Sequence, residues 1–250
     1  MTTPINQTIL ITGGASGIGL ALAAALMAHG NTVIIAGRRT AALQAACAAH
    51  PGLIAYPLDV ADAASIAPFA AMLTASHPSL SVLINNAGVM QAEDVTDPAH
   101  LTVADATIAT NLNGPIRLTS ALLAHLTAQP RATIVNVTSG LAFVPLASTP
   151  TYSATKAALH SFTRSLRHQL RATGIQVLEL APPAVQTDLM PGHAVNPHCM
   201  PLADFITEVM AIWGQTPTPQ EICVGRVQFL RQAEATGSHD QVFAMLNPAA

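Results

Sequence analysis

Ser139, Tyr152 and Lys156 are the side chains in this sequence best suited to acid–base chemistry. Tyr152 and Lys156 stand four positions apart in the segment SGLAFVPLASTPTYSATK, which begins at Ser139. On a helix that spacing puts both on one face, one turn apart. Free tyrosine titrates near pKa ~10, and a fixed positive charge close by favours the phenolate. The pair therefore predicts a phenol that gives or takes a proton near neutral pH. Ser139 follows an apolar, β-branched run, Ala132–Thr138. That run predicts a strand with a hydroxyl at its carboxyl end, able to donate to a carbonyl oxygen and to accept from Tyr152. Leu141, Phe143 and Val144 come next and read either as the apolar wall of a substrate pocket or as core. Met190, in a later loop, is placed with the same pocket.

The elements that must position these groups alternate along the chain. Thr8–Thr12 is a short apolar run, Gly13-Gly14-Ala15-Ser16-Gly17-Ile18-Gly19 follows, and Leu20–His29 has helical spacing closed by Gly30. Strand, glycine turn and helix in that order suit a pyrophosphate. Glycines let the backbone approach, and the N–H groups at the helix start face an anion. Gly13, Ser16, Gly17, Ile18 and Gly19 form the expected cradle. Asn31–Ala36 predicts a second strand, closed by Gly37-Arg38-Arg39. An acidic residue here would accept from the ribose hydroxyls of NAD, whereas arginines neutralise a 2′-phosphate. NADP(H) is therefore expected over NAD(H), with Arg38 the main contact and Arg39 the second. Solvated arginines closing a strand would read the same way, so NAD(H) stays open.

A helix over Ala41–His50 and a third strand over Leu53–Leu58 lead to Asp59 and Val60. Asp59 also suits the N-cap of a helix over Ala61–Ala75. Leu80–Ile84 predicts the fourth strand, ending in Asn85-Asn86-Ala87-Gly88. Leu101–Leu126 reads as a long helix disturbed near Asn111-Leu112-Asn113-Gly114-Pro115, since proline removes a backbone donor. Pro145 and Pro150 break the segment after Ser139, and a helix from Thr151 carries Tyr152 and Lys156. Gly174–Leu180 predicts the sixth strand. A lid is expected over residues 189–215, beginning in the proline-punctuated stretch Leu189–Pro201. Leu202–Trp213 and Glu221–Ala235 read as amphipathic helices, and Asp240–Leu246 as a strand or a helix. The sum predicts one α/β domain over residues 1–250. It is a Rossmann-type doubly wound parallel sheet of order 3-2-1-4-5-6, with helices on both faces and the seventh strand left open.

Taken together, the glycine turn Thr12–Gly19, the NNAG at Asn85–Gly88, and Ser139, Tyr152 and Lys156 resemble the short-chain dehydrogenase/reductase family. The resemblance runs from Thr8 to about Asp188 and, within the family, is greatest to the DltE-type oxidoreductases. It implies an enzyme that interconverts a ketone or aldehyde with an alcohol, using a nicotinamide cofactor. Tyr152 would be the proton donor, Lys156 its neighbour and the partner of the nicotinamide ribose, and Asn111 the holder of a relay water; Asn113 is the rival for that place. The family binds the adenine through the positions of Asp59 and Val60. It lines the cofactor with those of Asn86, Ala87 and Gly88, and meets the nicotinamide end with those of Val185 and Thr187. Pro183 stands where the family usually has glycine. The resemblance also implies a homo-oligomer, dimer or tetramer, built on the two long helices. A cofactor-binding redox sensor on the same fold is the reading from another class, and a sugar or acyl-carrier reductase is a further one among enzymes.

Composition narrows the classes. In 250 residues, 50% are hydrophobic and only 9% charged, so some apolar surface is expected to be covered by a partner chain. A net charge of -3 offers no basic footprint for nucleic acid. No apolar stretch is long enough to span a bilayer, so no membrane contact is expected. Three scattered cysteines without a CxxC pair fit a reducing, cytoplasmic setting. The spacing of His193, His198 and Cys199 fits no strong metal pattern, and no metal is expected.

Overall fold

The computed structural model describes residues 4–248. The strands are β1 (Thr8–Thr12), β2 (Thr32–Gly37), β3 (Ile54–Pro57), β4 (Leu80–Asn85), β5 (Ala132–Val137), β6 (Ile175–Leu180) and β7 (Glu221–Ile222). The helices are α1 (Gly17–Ala28), α2 (Thr40–Ala49), α3 (Ala63–Ser76), α4 (His100–Ile108), α5 (Gly114–Ala128), α6 (Pro150–Gln169), α7 (Leu202–Trp213), α8 (Gln228–Arg231) and α9 (His239–Leu246). All strand pairs among the described residues are parallel, in the order 3-2-1-4-5-6-7.

The strands read as near-continuous apolar runs because both sheet faces are covered. Ile9 and Ile11 of β1, Val33 and Ile35 of β2 and Leu178 of β6 pack on one face with Leu22 of α1 and Phe205 of α7. The alternate residues Leu10, Ile34 and Val177 pack on the other face with Phe69 of α3, Leu118 of α5 and Leu166 of α6. Each such fully buried aliphatic or aromatic side chain contributes roughly 1.5–3 kcal/mol.

Several boundaries differ from expectation, each for a local reason. A seventh strand does form, but it is two residues long, pairing Glu221 and Ile222 with Glu179 and Leu180. The helix expected over Glu221–Ala235 is therefore this strand, a 3-10 turn over Gly225–Val227 and the short α8. Asp240–Leu246 lies within helix α9. Asp62, not Asp59, caps α3 by accepting from the Ala64 N–H. Pro150 begins α6 instead of breaking it, because a first-turn residue needs no N–H donor. Part of the stretch 189–215, expected as a lid, is regular and packed. Met200 pairs with Ala184 and Gln186, and α7 buries Phe205, Val209 and Trp213. Only 189–198 runs as an irregular stretch with one 3-10 turn, His193–Val195.

The disturbance in the Leu101–Leu126 helix is a π-helical turn over Ala109–Asn113, in which the Gly114 N–H reaches back to the Ala109 carbonyl. Pro115 has no N–H, so the ordinary helical bond to the Asn111 carbonyl cannot form. Gly114 is needed for packing: a Cβ there would sit 2.9 Å from the Val60 carbonyl oxygen.

Polar side chains cross-link the centre of the sheet to its helices. Asn85 donates to Asn136 Oδ1 (2.8 Å) and Thr119 Oγ1 (3.0 Å), and Asn136 donates to Thr163 Oγ1 (2.9 Å). Asn136 and Thr163 are wholly buried. Asn136→Ala would leave groups on Asn85 and Thr163 buried without this partner, at about 1–3 kcal/mol each. Urea denaturation of that variant is expected to show a loss of about 2–4 kcal/mol; a loss below about 1 kcal/mol would mean that these bonds carry little of the stability.

Candidate functional site

The glycine turn is shaped by two close approaches. Gly13 has φ +64, a left-handed conformation that disfavours side chains. A Cβ on Gly19 would lie 2.4 Å from the Gly13 carbonyl oxygen and 2.5 Å from Asn86 Nδ2. The turn is tied to the end of β4 through Thr12, a role the sequence did not disclose. The Thr12 hydroxyl accepts from the N–H groups of Asn86 and Ala87, and Asn86 Nδ2 donates to the Thr12 and Gly13 carbonyls. Two strand ends are thus locked side by side, with the start of α1 facing the space above them.

That space is a cleft of about 870 Å³ across the carboxyl ends of the strands. Gly13, Ser16, Gly17, Ile18, Gly19, Arg38, Arg39, Val60, Asn86, Ala87, Gly88, Val185-adjacent Ala184, Val185 itself and Thr187 line it, as do Ser139, Leu141, Tyr152 and Lys156. Pro183, in the usual place of glycine, lines it as well. Arg39 donates to Ser16 Oγ (2.9 Å), bridging the end of β2 to the glycine turn. Arg38 is exposed and makes no side-chain hydrogen bond among the described residues. Five predicted residues do not line the cleft: Asn111, described below, and four others. Asp59 turns away and accepts from the Ala61 N–H. Val144 is fully buried core. Phe143 packs edge-on against His160, with Arg231 over its ring. Met190 is half-buried outside the cleft lining. In their stead the outer wall is built by Leu146, Arg226, Phe229, Leu230 and Leu246. No periodicity or motif marks this C-terminal group, because only tertiary packing brings it to the strand ends.

Tyr152 is pinned through both of its neighbours. Thr151 donates its N–H (3.0 Å) and hydroxyl (2.6 Å) to the Glu93 carboxylate, and Ser153 Oγ accepts from the Leu146 N–H and donates to the Thr149 carbonyl. One turn on, Lys156 Nζ donates to the Val137 carbonyl (2.8 Å) and lies 5.5 Å from the centre of the Tyr152 ring. Asn111 is fully buried; its Oδ1 accepts from the Val89 N–H and its Nδ2 donates to the Val89 carbonyl, both at 2.8 Å. A Cβ on Gly88 would lie 3.4 Å from Asn111 Oδ1 and 3.7 Å from Lys156 Nζ, so asparagine and lysine meet at that glycine. Asn113 makes no side-chain hydrogen bond among the described residues. The Asn111 amide is thus committed to the Val89 backbone.

The electrostatics correct the sequence expectation. Burial pushes the Tyr152 phenol up to about 12, with the Ser139 hydrogen bond pulling it back. Burial pushes the Lys156 ammonium down to about 8. Desolvation, which favours the neutral form of each, is the first cause at both groups. The cause is invisible in the sequence, since spacing gives the face and not the depth.

The comparisons with known proteins agree with this architecture. The model of the short chain dehydrogenase family matches residues 7–195. The uncharacterized oxidoreductase DltE of Bacillus subtilis (strain 168) is 40% identical over 247 residues, 97% of each chain. Among solved structures, a short chain dehydrogenase from Burkholderia cenocepacia J2315 in complex with NADP superposes with a TM-score of 0.84 over all of both chains at 23% identity. The closed form of a serine dehydrogenase complexed with NADP+ gives 0.75 at 26% identity, covering 86% of this chain and 92% of that one.

The lysine's shift has a direction in stability. Its folded pKa, about 8, lies below the ordinary value of 10.5. Below about pH 8 both states hold the proton and the burial cost is full; between about 8 and 10.5 the unfolded chain holds more protons, so the cost shrinks as pH rises. Wild type is therefore expected to gain stability relative to Lys156→Met across that window, read from urea midpoints at stepped pH. A gap that stays constant, or that moves against wild type, would contradict the burial of a charged amine here.

Proposed function

The chain belongs to the short-chain dehydrogenase family, and from that premise we propose that it is an NADP(H)-dependent oxidoreductase interconverting a ketone or aldehyde with an alcohol. One observation carries the reading: Ser139, Tyr152 and Lys156 open on the same cleft as the glycine turn and the start of α1.

The residues present fit a dinucleotide. The turn has no room for side chains at Gly13 and Gly19, and the N-terminus of α1 offers N–H groups to a pyrophosphate. Gly13, Ser16, Gly17, Ile18 and Gly19 would hold the phosphates. Arg38, without a side-chain hydrogen bond among the described residues, would meet the 2′-phosphate, with Arg39 beside it. Val60 would take the adenine, with Asp59 shaping the backbone there. Asn86, Ala87 and Gly88 would line the middle of the cofactor, and Val185 and Thr187 the nicotinamide end. The NADP+ bound by the serine dehydrogenase supports this preference by similarity.

The chemistry a bound nicotinamide would supply here is hydride transfer. The chain's own residues handle the oxygen. Ser139 donates a hydrogen bond to it, and Tyr152 gives its proton to the forming alkoxide. Lys156, held on the Val137 carbonyl, would bind the nicotinamide ribose and support the phenolate left behind. The Asn111 carbonyl, deprived by Pro115 of an ordinary helical donor, is the group that would hold a water and carry the relay outward. The stretch 189–198 would serve as the lid. Exposed Leu101 and Ile108 of α4 support a homo-oligomer, and three free cysteines support a reducing, cytoplasmic setting.

Tyr152→Phe is expected to lower turnover by ~10²–10⁴ while leaving NADPH affinity intact, because only the proton donor is removed. Turnover within about tenfold of wild type would reject Tyr152 as that donor. The assay is nicotinamide absorbance with a panel of ketones and alcohols and both cofactors. In the same assay Arg38→Ala is expected to weaken NADPH about tenfold and leave NADH unchanged, the loss of one charge-assisted contact. Equal weakening of both cofactors would reject the 2′-phosphate contact.

A further inference from the structure

Glu179 lies in β6 with no exposed surface, a carboxylate in the middle of a parallel sheet. An unpaired charge there would be costly, so its partners matter. The Thr138 hydroxyl donates to Glu179 Oε1 at 2.7 Å, and His160 Nδ1 lies 2.8 Å from Oε2 and 3.0 Å from Oε1. Thr138 immediately precedes Ser139. His160 continues the stripe of Tyr152 and Lys156 at the same four-residue interval on α6. The carboxylate thus joins the strand that ends in the serine to the helix that carries the tyrosine.

We propose that Glu179 and His160 are positioning residues that hold the Ser139 hydroxyl in register with the Tyr152 phenol. The inference rests on the reading that these two hydroxyls act together on the substrate oxygen, but it concerns their mutual placement and not the reaction.

The surroundings fit that task. Phe143 packs edge-on against His160 at 5.1 Å and 74°, and Arg231 lies 4.9 Å over the Phe143 ring. Arg231 is paired with Glu221 of β7, and its neighbour Leu230 walls the cleft. Arg167 donates to the Val177 and Gln220 carbonyls beside the same cluster. The oxygens and nitrogen of His160, Glu179 and Glu221 lie within 4.8 Å of one another. They are already used, Glu221 by Arg231 and Glu179 by Thr138 and His160, so a cation would have to displace established bonds.

The test needs no substrate. The chain has two tyrosines, Tyr56 and Tyr152, so a protein isotopically labelled at the tyrosine ring carbon bearing oxygen gives two resonances, assigned with Tyr152→Phe. Thr138→Val removes the donor at nearly constant shape, Thr138→Ser keeps it, and Glu179→Gln removes the charge. The Tyr152 resonance is expected to move in Thr138→Val and Glu179→Gln and to stay in place in Thr138→Ser, with Tyr56 unchanged throughout as the marker of a folded chain. A Tyr152 resonance that stays at its wild-type position in folded Thr138→Val and Glu179→Gln overturns the proposal. So does unfolding of both variants, which would make the network structural only. On any ketone that wild type reduces, the moved variants should lose up to about 10²-fold in kcat, as misplaced reacting groups do, with NADPH affinity retained. A wild type that reduces no ketone would defeat the proposed activity and leave the tyrosine resonance to decide this one.

Discussion

The burial of one phenol and one ammonium at the carboxyl ends of the central strands is the constraint on which the site depends. Water is removed from both, so each is driven toward its neutral form. A phenol in that state holds its proton firmly and does not lose it to solvent. Lys156 answers part of the cost through the Val137 carbonyl, and the remainder is available to whatever charge enters the cleft.

Much of the rest of the molecule keeps that buried pair still. Glu93 and Leu146 fix the residues on either side of Tyr152. Farther along α6, Thr163 is tied to Asn136, and Arg167 to the Val177 carbonyl. Helix α6 is therefore seated on the sheet by polar bonds at successive turns, not by apolar packing alone. On the opposite side of the cleft, Thr12 clamps the glycine turn to the end of β4. Two halves of the sheet then present their strand ends at a fixed separation, which is what a long, two-ended ligand requires.

The features legible in the sequence were those encoded over a few residues. The strand–glycine turn–helix at Thr8–His29, the four-residue spacing of Tyr152 and Lys156 and the serine closing β5 all depend on local periodicity and turn chemistry. The expected strand order for the first six strands follows from the alternation of elements and is the order observed. Depth and long-range packing were not legible. The sequence places a charge beside a phenol but not the desolvation that overrides it. Strand β7 is only two residues long and carries no pattern. Phe143 and Val144 look like pocket residues by position, yet the side chains at the pocket wall come from Arg226–Leu230 and Leu246, some eighty residues on. Glu179 sits in an apolar strand, and nothing local announces that Thr138 and His160 meet its carboxylate.

The function proposed above makes Tyr152 the proton donor beside a bound nicotinamide, which requires cofactor binding to lower a phenol that burial pushes up in the free protein. Ultraviolet difference titration of wild type against Tyr152→Phe, without and with saturating NADP+, measures this directly. The account predicts a phenol that titrates near 12 in the free protein and markedly lower in the complex, where the cationic oxidised ring favours the phenolate. A phenol that titrates near neutrality without cofactor, or one that does not move when cofactor binds, would contradict it.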